Sequence, residues 1–287
     1  MNTGTVTNKV GGQDGGTAVR EFLANASLGA GVTHRNMTVF PVFGEDGNDG
    51  AYLTLDEALK ASAIEVTEVT EGGAVPQLKV RNRSGHRVLM LDGEELVGAK
   101  QNRILNISIL VDIKTEIVVP VACVEHGRWS YRSRTFQAGA HAYAGLRGAR
   151  TRQVSQTLRD GGGFVADQGA VWDEVARKMD AMGSHSESGA MHTAYVDREA
   201  DVAAYVKGCA LPDGATGVVV VINGKVVCAD LFDRPAPLAA NRAKLLGSYA
   251  LDALDPTAVF GALLQHPGTS GVVRDLSPTI AAVHEAG

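Results

Sequence analysis

The chain has 287 residues, of which 45% are hydrophobic and 21% charged, and its formal net charge is −5. These are ordinary globular proportions, and they exclude a membrane-spanning class because no apolar run approaches the roughly 20 residues that a span needs. The widely spaced and odd-numbered cysteines (Cys123, Cys209 and Cys228) disfavour a disulfide framework. Together with an N-terminus that lacks an apolar secretion signal, they predict a cytoplasmic protein.

The first residues are polar and glycine-rich, which predicts a disordered tail at residues 1–16 ahead of a single domain at residues 17–287. "TAVREFLANASLG" then predicts a short helix. "MTVFPVF" predicts a strand in which Pro41 indicates an edge or a bend. "TLDEALKASA" opens with a capping box, since Thr54 is followed three residues later by Glu57.

Residues 64–131 have the pattern of β-structure. "RVLML" runs into Asp92-Gly93, a pair typical of a hairpin turn. "IVVPVACVE" predicts a strand whose Pro120 indicates an edge or a bulge. In "RILNISILV" one face carries alternating apolar residues, namely Leu105, Ile107, Ile109 and Val111.

The second half reads mainly as helix. "GLRGARTRQVSQTLRD", "VWDEVARKMDAM", "DREADVAAYVKGC" and "ANRAKLLGSYALDAL" each have helical periodicity or helical composition. Between the last two, "GVVVVINGKVVCADLF" predicts a type I′ hairpin at Asn223-Gly224, buried on both faces. We therefore predict an α+β fold, with largely antiparallel sheet in the first half and helices plus a buried β-hairpin in the second.

Arginine is concentrated between His126 and Arg159, a stretch without lysine or acid. Arginine suits planar, two-pronged hydrogen bonding to phosphate or carboxylate, which predicts an anion site that includes Arg128. The alternative is that these arginines pair with carboxylates elsewhere and hold the fold together. Nucleic acid is a weaker third interpretation, because the chain is acidic and few aromatic residues are interleaved. The seven arginines are Arg128, Arg132, Arg134, Arg147, Arg150, Arg152 and Arg159.

The polar block "GEELVGAKQNRIL" lies between two apolar segments. Glu94 and Glu95 follow a turn, so a strand that resumes there sends them to opposite faces. The block is either a polar hairpin end or one wall of a site. As a site it offers Glu95 as the favoured general base or ribose ligand, Glu94 as the runner-up, and Asn102 and Arg103 as orienting groups.

Two other clusters carry reactive side chains. Cys123 and His126 could form a thiolate nucleophile, but residues three apart on a strand face opposite ways, which favours a buried, inert cysteine. "GSHSESGAMH" offers His185, Glu187 and His192 as conceivable metal ligands, but its glycine and serine content favours a solvated loop. We predict no metal site.

Several segments resemble one family. "LDGEELVGAKQNRILNISILV", "PVACVEHGRWSYRS", "VADQGAVWDEV" and "VVVINGKVVCADLFD" are similar to the ARG and rhodanese-phosphatase-superfamily-associated protein domain, in which ARG denotes ADP-ribosylglycohydrolase. The resemblance runs from about Thr38 to Leu254 and implies a role in NAD or ADP-ribose metabolism. It supplies no catalytic mechanism. The motif positions are Glu94, Glu95, Lys100, Gln101, Asn102, Arg103, Cys123, Glu125, Arg128, Trp129, Asp167 and Gln168.

Three functions remain open. The first is hydrolysis of a phosphorylated nucleotide-sugar such as ADP-ribose, the second is a non-catalytic sensor of such a nucleotide, and the third is a protein–protein scaffold with an arginine-rich docking surface. No cofactor or oligomeric state is predicted. The predicted catalytic residues are Glu95, Glu94 and Asn102. The predicted ligand-binding residues are Lys100, Gln101, Arg103, Glu125, Arg128, Trp129, Arg132, Asp167 and Gln168.

Overall fold

A computed structural model describes residues 4–5, 15–45, 47, 50–255, 257 and 263–265. The predicted tail at residues 1–16 lies mostly outside the described residues, so it stays a prediction. The elements of the first half are β1 (Gly4–Thr5), α1 (Gly15–Asn25), β2 (Ser27–Leu28), β3 (Val32–His34), β4 (Met37–Phe43), β5 (Tyr52–Thr54), α2 (Leu55–Lys60), β6 (Ile64–Glu68), β7 (Gln77–Asn82), β8 (Arg87–Met90), β9 (Glu94–Gly98), β10 (Arg103–Leu105), β11 (Ile109–Val111), β12 (Glu116–Cys123) and β13 (Phe136–His141). Those of the second half are α3 (Ala144–Arg159), α4 (Gln168–Met182), α5 (His192–Asp197), α6 (Glu199–Gly208), β14 (Gly217–Ile222), β15 (Lys225–Leu231), α7 (Pro235–Ala253) and β16 (Leu263–Gln265).

The strands form three sheets. The largest has the order β13-β9-β10-β12-β7-β6, with β1 added in parallel to β12. A second sheet has the order β11-β8-β5, and a third has the order β16-β15-β14-β4-β2, with β3 also paired to β4. Most pairs are antiparallel; the parallel ones are β1–β12, β5–β8 and β15–β16. The α+β prediction is therefore confirmed.

The local signals of the sequence form as expected. Asn223 (φ 52°) and Gly224 (φ 74°) make the left-handed turn that joins β14 to β15. Alternate residues of β14 pack into two different cores: Val220 packs with α7, and Val219 packs with Phe40 of β4. The capping box is present, since the hydroxyl of Thr54 accepts the amide N–H of Glu57 and the Glu57 carboxylate accepts the N–H of Thr54.

The hairpin predicted at Asp92-Gly93 is wrong. A tight turn does form there, because Glu94 N–H donates to Leu91 O (3.1 Å) and Gly93 has φ +83°. However, β8 pairs with β11 and β5, whereas β9 pairs with β10 and β13, so the chain changes sheets at this turn. The residues at the turn determine its backbone conformation, but they do not determine which strands pair on either side of it.

The largest sheet is covered on both faces, which fixes the surroundings of the polar block. Ile104 and Ala122 face a core built with helices α3, α4 and α5. Leu105 and Val121, their neighbours along the strands, face the core shared with α2 and the second sheet. Among the described residues, no helix is both long and apolar enough to cross a membrane.

Candidate functional site

Glu94 and Glu95 are both fully buried, and they have different partners. Glu94 accepts the N–H of Leu91 (2.7 Å) and a bond from Lys244 Nζ of α7 (3.2 Å). Burial raises the pKa of Glu94, and the ammonium of Lys244 opposes that rise. Lys244 also bonds Asp56 (2.7 Å), so Glu94 is the buried member of an ion cluster that reaches the surface at Asp56.

Glu95 points to the helix-covered face, where three donors converge on its carboxylate. Oε2 accepts the backbone N–H of Ala140 (3.1 Å) and lies 2.9 Å from His192 Nδ1, while Oε1 accepts from Asn102 Nδ2 at 3.4 Å. A Cβ at Gly139 would lie 2.5 Å from Glu95 Oε2, so only glycine lets β13 approach this closely. The Glu95 carboxylate is therefore closely surrounded by hydrogen-bonding groups and by the backbone of β13.

His192 begins α5, and 41% of its side chain is exposed. Its hydrogen bond with Glu95 raises its pKa, against the opposing effect of burial. A carboxylate that holds one ring nitrogen fixes the tautomer and leaves the other nitrogen available to a substrate or water. The Glu95–His192 pair therefore has the composition of a general base with a buried orienting group.

Asn102 is held in place by the ion pair of Glu125 and Arg128. Glu125 Oε2 accepts the N–H of Asn102 (3.0 Å) and bonds Arg128 Nη2 (2.6 Å), and the same Nη2 donates to Asn102 Oδ1 (3.1 Å). Although burial opposes it, the bonds from Arg128, Asn102 and Ser188 lower the pKa of Glu125. Arg128 also donates to the carbonyl of Ala99 (2.6 Å), so its guanidinium holds the turn between β9 and β10.

The buried arginines of the arginine-rich segment are paired with carboxylates. Arg147 makes two 2.8 Å bonds to Asp230, Arg150 contacts Asp92, and Arg128 bonds Glu125 as above. These pairs favour the structural interpretation over the anion-site prediction at the three positions. The exposed members of the segment are Arg132, Arg134, Arg152 and Arg159.

Other predicted ligand residues have structural roles. Asp167 caps α4 by accepting the N–H of Ala170, and Gln168 bonds both the N–H and the C=O of Cys123 at 2.8 Å. Burial raises the pKa of the Cys123 thiol, as expected for an inert cysteine. His126 packs against Trp172 and does not pair with Cys123.

Lys100, Gln101, Arg103 and Trp129 form a separate group. Arg103 pairs in register with Leu96 and Cys123, whereas its neighbour Ile104 pairs with Glu95, so Arg103 faces away from Glu95. Arg103 Nη1 donates to Gln101 Oε1 (3.0 Å). Asn102 therefore shares a site with Glu95, and Arg103 does not.

An interior polar cluster was missed by sequence reasoning. A cavity of about 20 Å³ is lined by residues that include His141, Arg147 and Asp230, and it has room for one water molecule. Tyr249 OH donates to Asp230, and burial lowers the pKa of His141 well below its ordinary value. Although burial opposes it, Arg147 lowers the pKa of Asp230. Arg147 and Asp230 are 83 residues apart in the chain, and no motif connects the two segments.

The comparisons with known proteins identify a domain. Residues 25–271 match the family described as "ARG and Rhodanese-Phosphatase-superfamily-associated Protein domain". Short stretches are similar to curated enzymes: the glycine dehydrogenase (decarboxylating) of Nitrobacter winogradskyi is 68% identical over 34 residues, 12% of this chain and 4% of that protein. That of Cereibacter sphaeroides is 44% identical over 64 residues, 21% of this chain and 7% of that protein. The chain thus matches only a small fraction of either relative's length. No solved structure matches.

Proposed function

The chain belongs to the ARG and Rhodanese-Phosphatase-superfamily-associated Protein domain family, and we propose that it hydrolyses a phosphorylated nucleotide-sugar of the ADP-ribose kind, with His192 activating water. The observation that carries this proposal is the 2.9 Å contact between the half-exposed His192 and the fully buried Glu95. An imidazole oriented by a buried carboxylate is suited to proton transfer near neutral pH.

The proposed reaction needs few groups. Neutral His192 removes a proton from water, and the resulting hydroxide forms a new bond to carbon or phosphorus of the substrate. The bond to the leaving group breaks, solvent protonates that group, and the protonated His192 then releases its proton to solvent. Glu95 stabilises the imidazolium that forms, and Asn102, which contacts Glu95 Oε1, keeps the carboxylate in place.

Positive charge for the substrate phosphates is available on the segment that leads into β13, a strand that pairs with β9. The segment between β12 and β13 carries the exposed Arg132 and Arg134, and β13 then passes along β9 beside Glu95. Because exposed guanidinium groups can bind phosphate in two-pronged fashion, we propose these two arginines as phosphate contacts.

The second candidate is a nucleotide sensor without turnover. The observation that favours it is an exposed aromatic pair, Trp129 and Tyr131, with Lys100 Nζ 5.2 Å and 5.1 Å from the two ring centroids. Such rings can stack on a nucleobase without any catalytic group. For either candidate we infer a cytoplasmic location, which agrees with three cysteines that are free and buried.

Turnover assays on the purified protein test the hydrolase proposal. The protein is incubated with ADP-ribose, NAD and phosphorylated derivatives, and products are separated by chromatography. We expect His192→Gln to lower kcat by about 10²–10⁴-fold, whereas His185→Gln, which removes an exposed imidazole of the preceding loop, leaves kcat unchanged. Full activity in His192→Gln would reject this base. Binding with no product in the parent protein would favour the sensor.

A further inference from the structure

Arg103 is a buried cation whose hydrogen-bonding groups are only partly used. The side chain is fully buried. Nη1 donates to Gln101 Oε1 (3.0 Å) and, more weakly, to Asn102 O (3.5 Å). Nε and Nη2 are buried and have no hydrogen-bond partner. A charged group left unsatisfied in the interior is costly, so a partner for these two nitrogens is expected.

The two free nitrogens form one edge of the guanidinium. Nε–H and the adjacent Nη2–H point the same way and are spaced to bind two oxygens of a single phosphate or carboxylate. Gln101 holds the opposite edge, so the free edge is oriented in advance. Burial lowers the pKa of Arg103, and the nearby Cys123 and Glu68 only partly oppose that effect. An oxyanion on this edge would supply the missing counter-charge.

A second cation lies beside the same indole ring. Arg103 Cζ is 5.7 Å and Lys100 Nζ is 5.2 Å from the centroid of Trp129. Lys100 Nζ donates to the carbonyl of Gly72 (2.7 Å). No carboxylate among the described residues forms an ion pair with Lys100 or Arg103. Trp129, 47% exposed, therefore covers one cation and contacts another at the surface.

Glu68 is the carboxylate of this chain that could pair with Arg103 in place of an external oxyanion. Its Oε1 accepts the backbone N–H of Lys100 (3.4 Å), and its buried Oε2 has no hydrogen-bond partner. A change of rotamer at Glu68 could bring this carboxylate to Arg103 and satisfy both groups. The two alternatives, an external oxyanion and Glu68, predict opposite effects of removing the Glu68 charge.

We propose that the Nε–Nη2 edge of Arg103, with Lys100, binds a phosphate group, and that Trp129 is the movable cover of this subsite. The subsite lies on the face of β10 opposite to Glu95, so it is distinct from the Glu95–His192 pair and goes beyond the proposed hydrolysis. The ring of Trp129 must shift for the phosphate to reach Arg103, which makes its fluorescence a direct reporter.

Isothermal titration with inorganic pyrophosphate, followed in parallel by tryptophan fluorescence, tests the subsite. We expect binding that weakens with salt and a fluorescence change that Trp129→Phe abolishes. Arg103→Gln should weaken binding at least tenfold, and Arg103→Lys should also weaken it because the two-pronged edge is lost. Arg81→Gln, which removes an exposed arginine of β7, is the matched control and should bind normally. Glu95→Gln should also bind pyrophosphate normally, so the outcome of this experiment does not depend on whether the hydrolase proposal is correct.

Glu68→Gln decides between the two partners of Arg103. Removal of the Glu68 carboxylate should strengthen pyrophosphate binding if the subsite is real. No binding in the parent protein, combined with similar destabilisation in Glu68→Gln and Arg103→Gln, would show an internal ion pair and overturn the proposal. If Arg103→Gln does not fold, Lys100→Gln replaces it as the test variant. An unchanged affinity of Lys100→Gln for pyrophosphate would also overturn the proposal. Citrate binding as tight as pyrophosphate binding would overturn the assignment to phosphate.

Discussion

Replacement of Glu95 by glutamine gives a pH-dependent change in stability that reports on the pair with His192. In the parent protein the carboxylate bonds His192 Nδ1 at 2.9 Å and raises the pKa of that imidazole. A group whose pKa is raised in the folded state stabilises that state fully below its unfolded pKa, about 6.5 for histidine. That contribution is lost as the pH rises through the folded pKa.

The magnitude follows from the two forms of the hydrogen bond. Because the Glu95 carboxylate accepts the bond in both forms, protonation of His192 adds the attraction of an ion pair, which contributes about 1 kcal/mol in exposed pairs and several kcal/mol in buried ones. Because 41% of the His192 side chain is exposed, solvent screening places the difference at the low end, about 1 kcal/mol. The destabilisation caused by Glu95→Gln should therefore be about 1 kcal/mol larger near pH 5.5 than near pH 8.5.

Urea denaturation of the parent and Glu95→Gln at the two pH values measures this difference. NMR titration of the His192 ring, assigned with His192→Gln, should show that its pKa falls when the Glu95 charge is removed. Glu187→Gln, which removes an exposed carboxylate of the neighbouring loop, is the control and should show no such pH dependence. A destabilisation that is equal at both pH values, or larger in alkali, would refute the ion-pair reasoning.

The remaining predictions concern stability and are measured by urea denaturation. Lys178→Ala should cost about 3–5 kcal/mol, because Lys178 bridges Asp252 (2.7 Å) and Asp255 (2.8 Å), and its removal takes the ion-pair partner from the buried Asp252 while Asp255 keeps Arg177; a cost below about 1 kcal/mol would contradict a tight triad. Gly93→Ala should cost at least about 1–3 kcal/mol, since φ is +83° and a Cβ would lie 2.6 Å from an Arg147 side chain held by an ion pair; a neutral effect would show that the turn relaxes. Thr54→Ala should cost about 1 kcal/mol through the lost cap of α2, and Thr54→Ser should restore most of it.

Features that depend on adjacent residues could be predicted from the sequence. The hairpin at Asn223-Gly224 and the capping box at Thr54 each rely on backbone conformations that a few neighbouring residues determine. The alternation of strand residues likewise predicted that Glu94 and Glu95 diverge. The same local reasoning failed at Asp92-Gly93, because strand pairing there is chosen by contacts with β11, some 20 residues further along the chain.

The site depended on contacts that no local pattern encodes. Glu95 meets His192 across 97 residues, Glu94 meets Lys244 across 150, and Arg147 meets Asp230 across 83. From the sequence, His192 was only a conceivable metal ligand, and its glycine- and serine-rich surroundings favoured a solvated loop without a metal. The sequence offered no signal that α5 would place this imidazole on a buried carboxylate. The density of arginines indicated that these side chains need anionic partners, but it did not indicate which carboxylates they would pair with.

The pH dependence of turnover tests the central claim, that His192 activates water while Glu95 orients it. Only neutral His192 can accept a proton, so kcat/KM on the substrate that is turned over should rise with pH through the raised pKa of His192. In Glu95→Gln the pKa of His192 falls, and the acid limb of the profile should move to lower pH while the maximal rate drops. An acid limb that stays in place in Glu95→Gln, or one that persists in His192→Gln, would contradict the account.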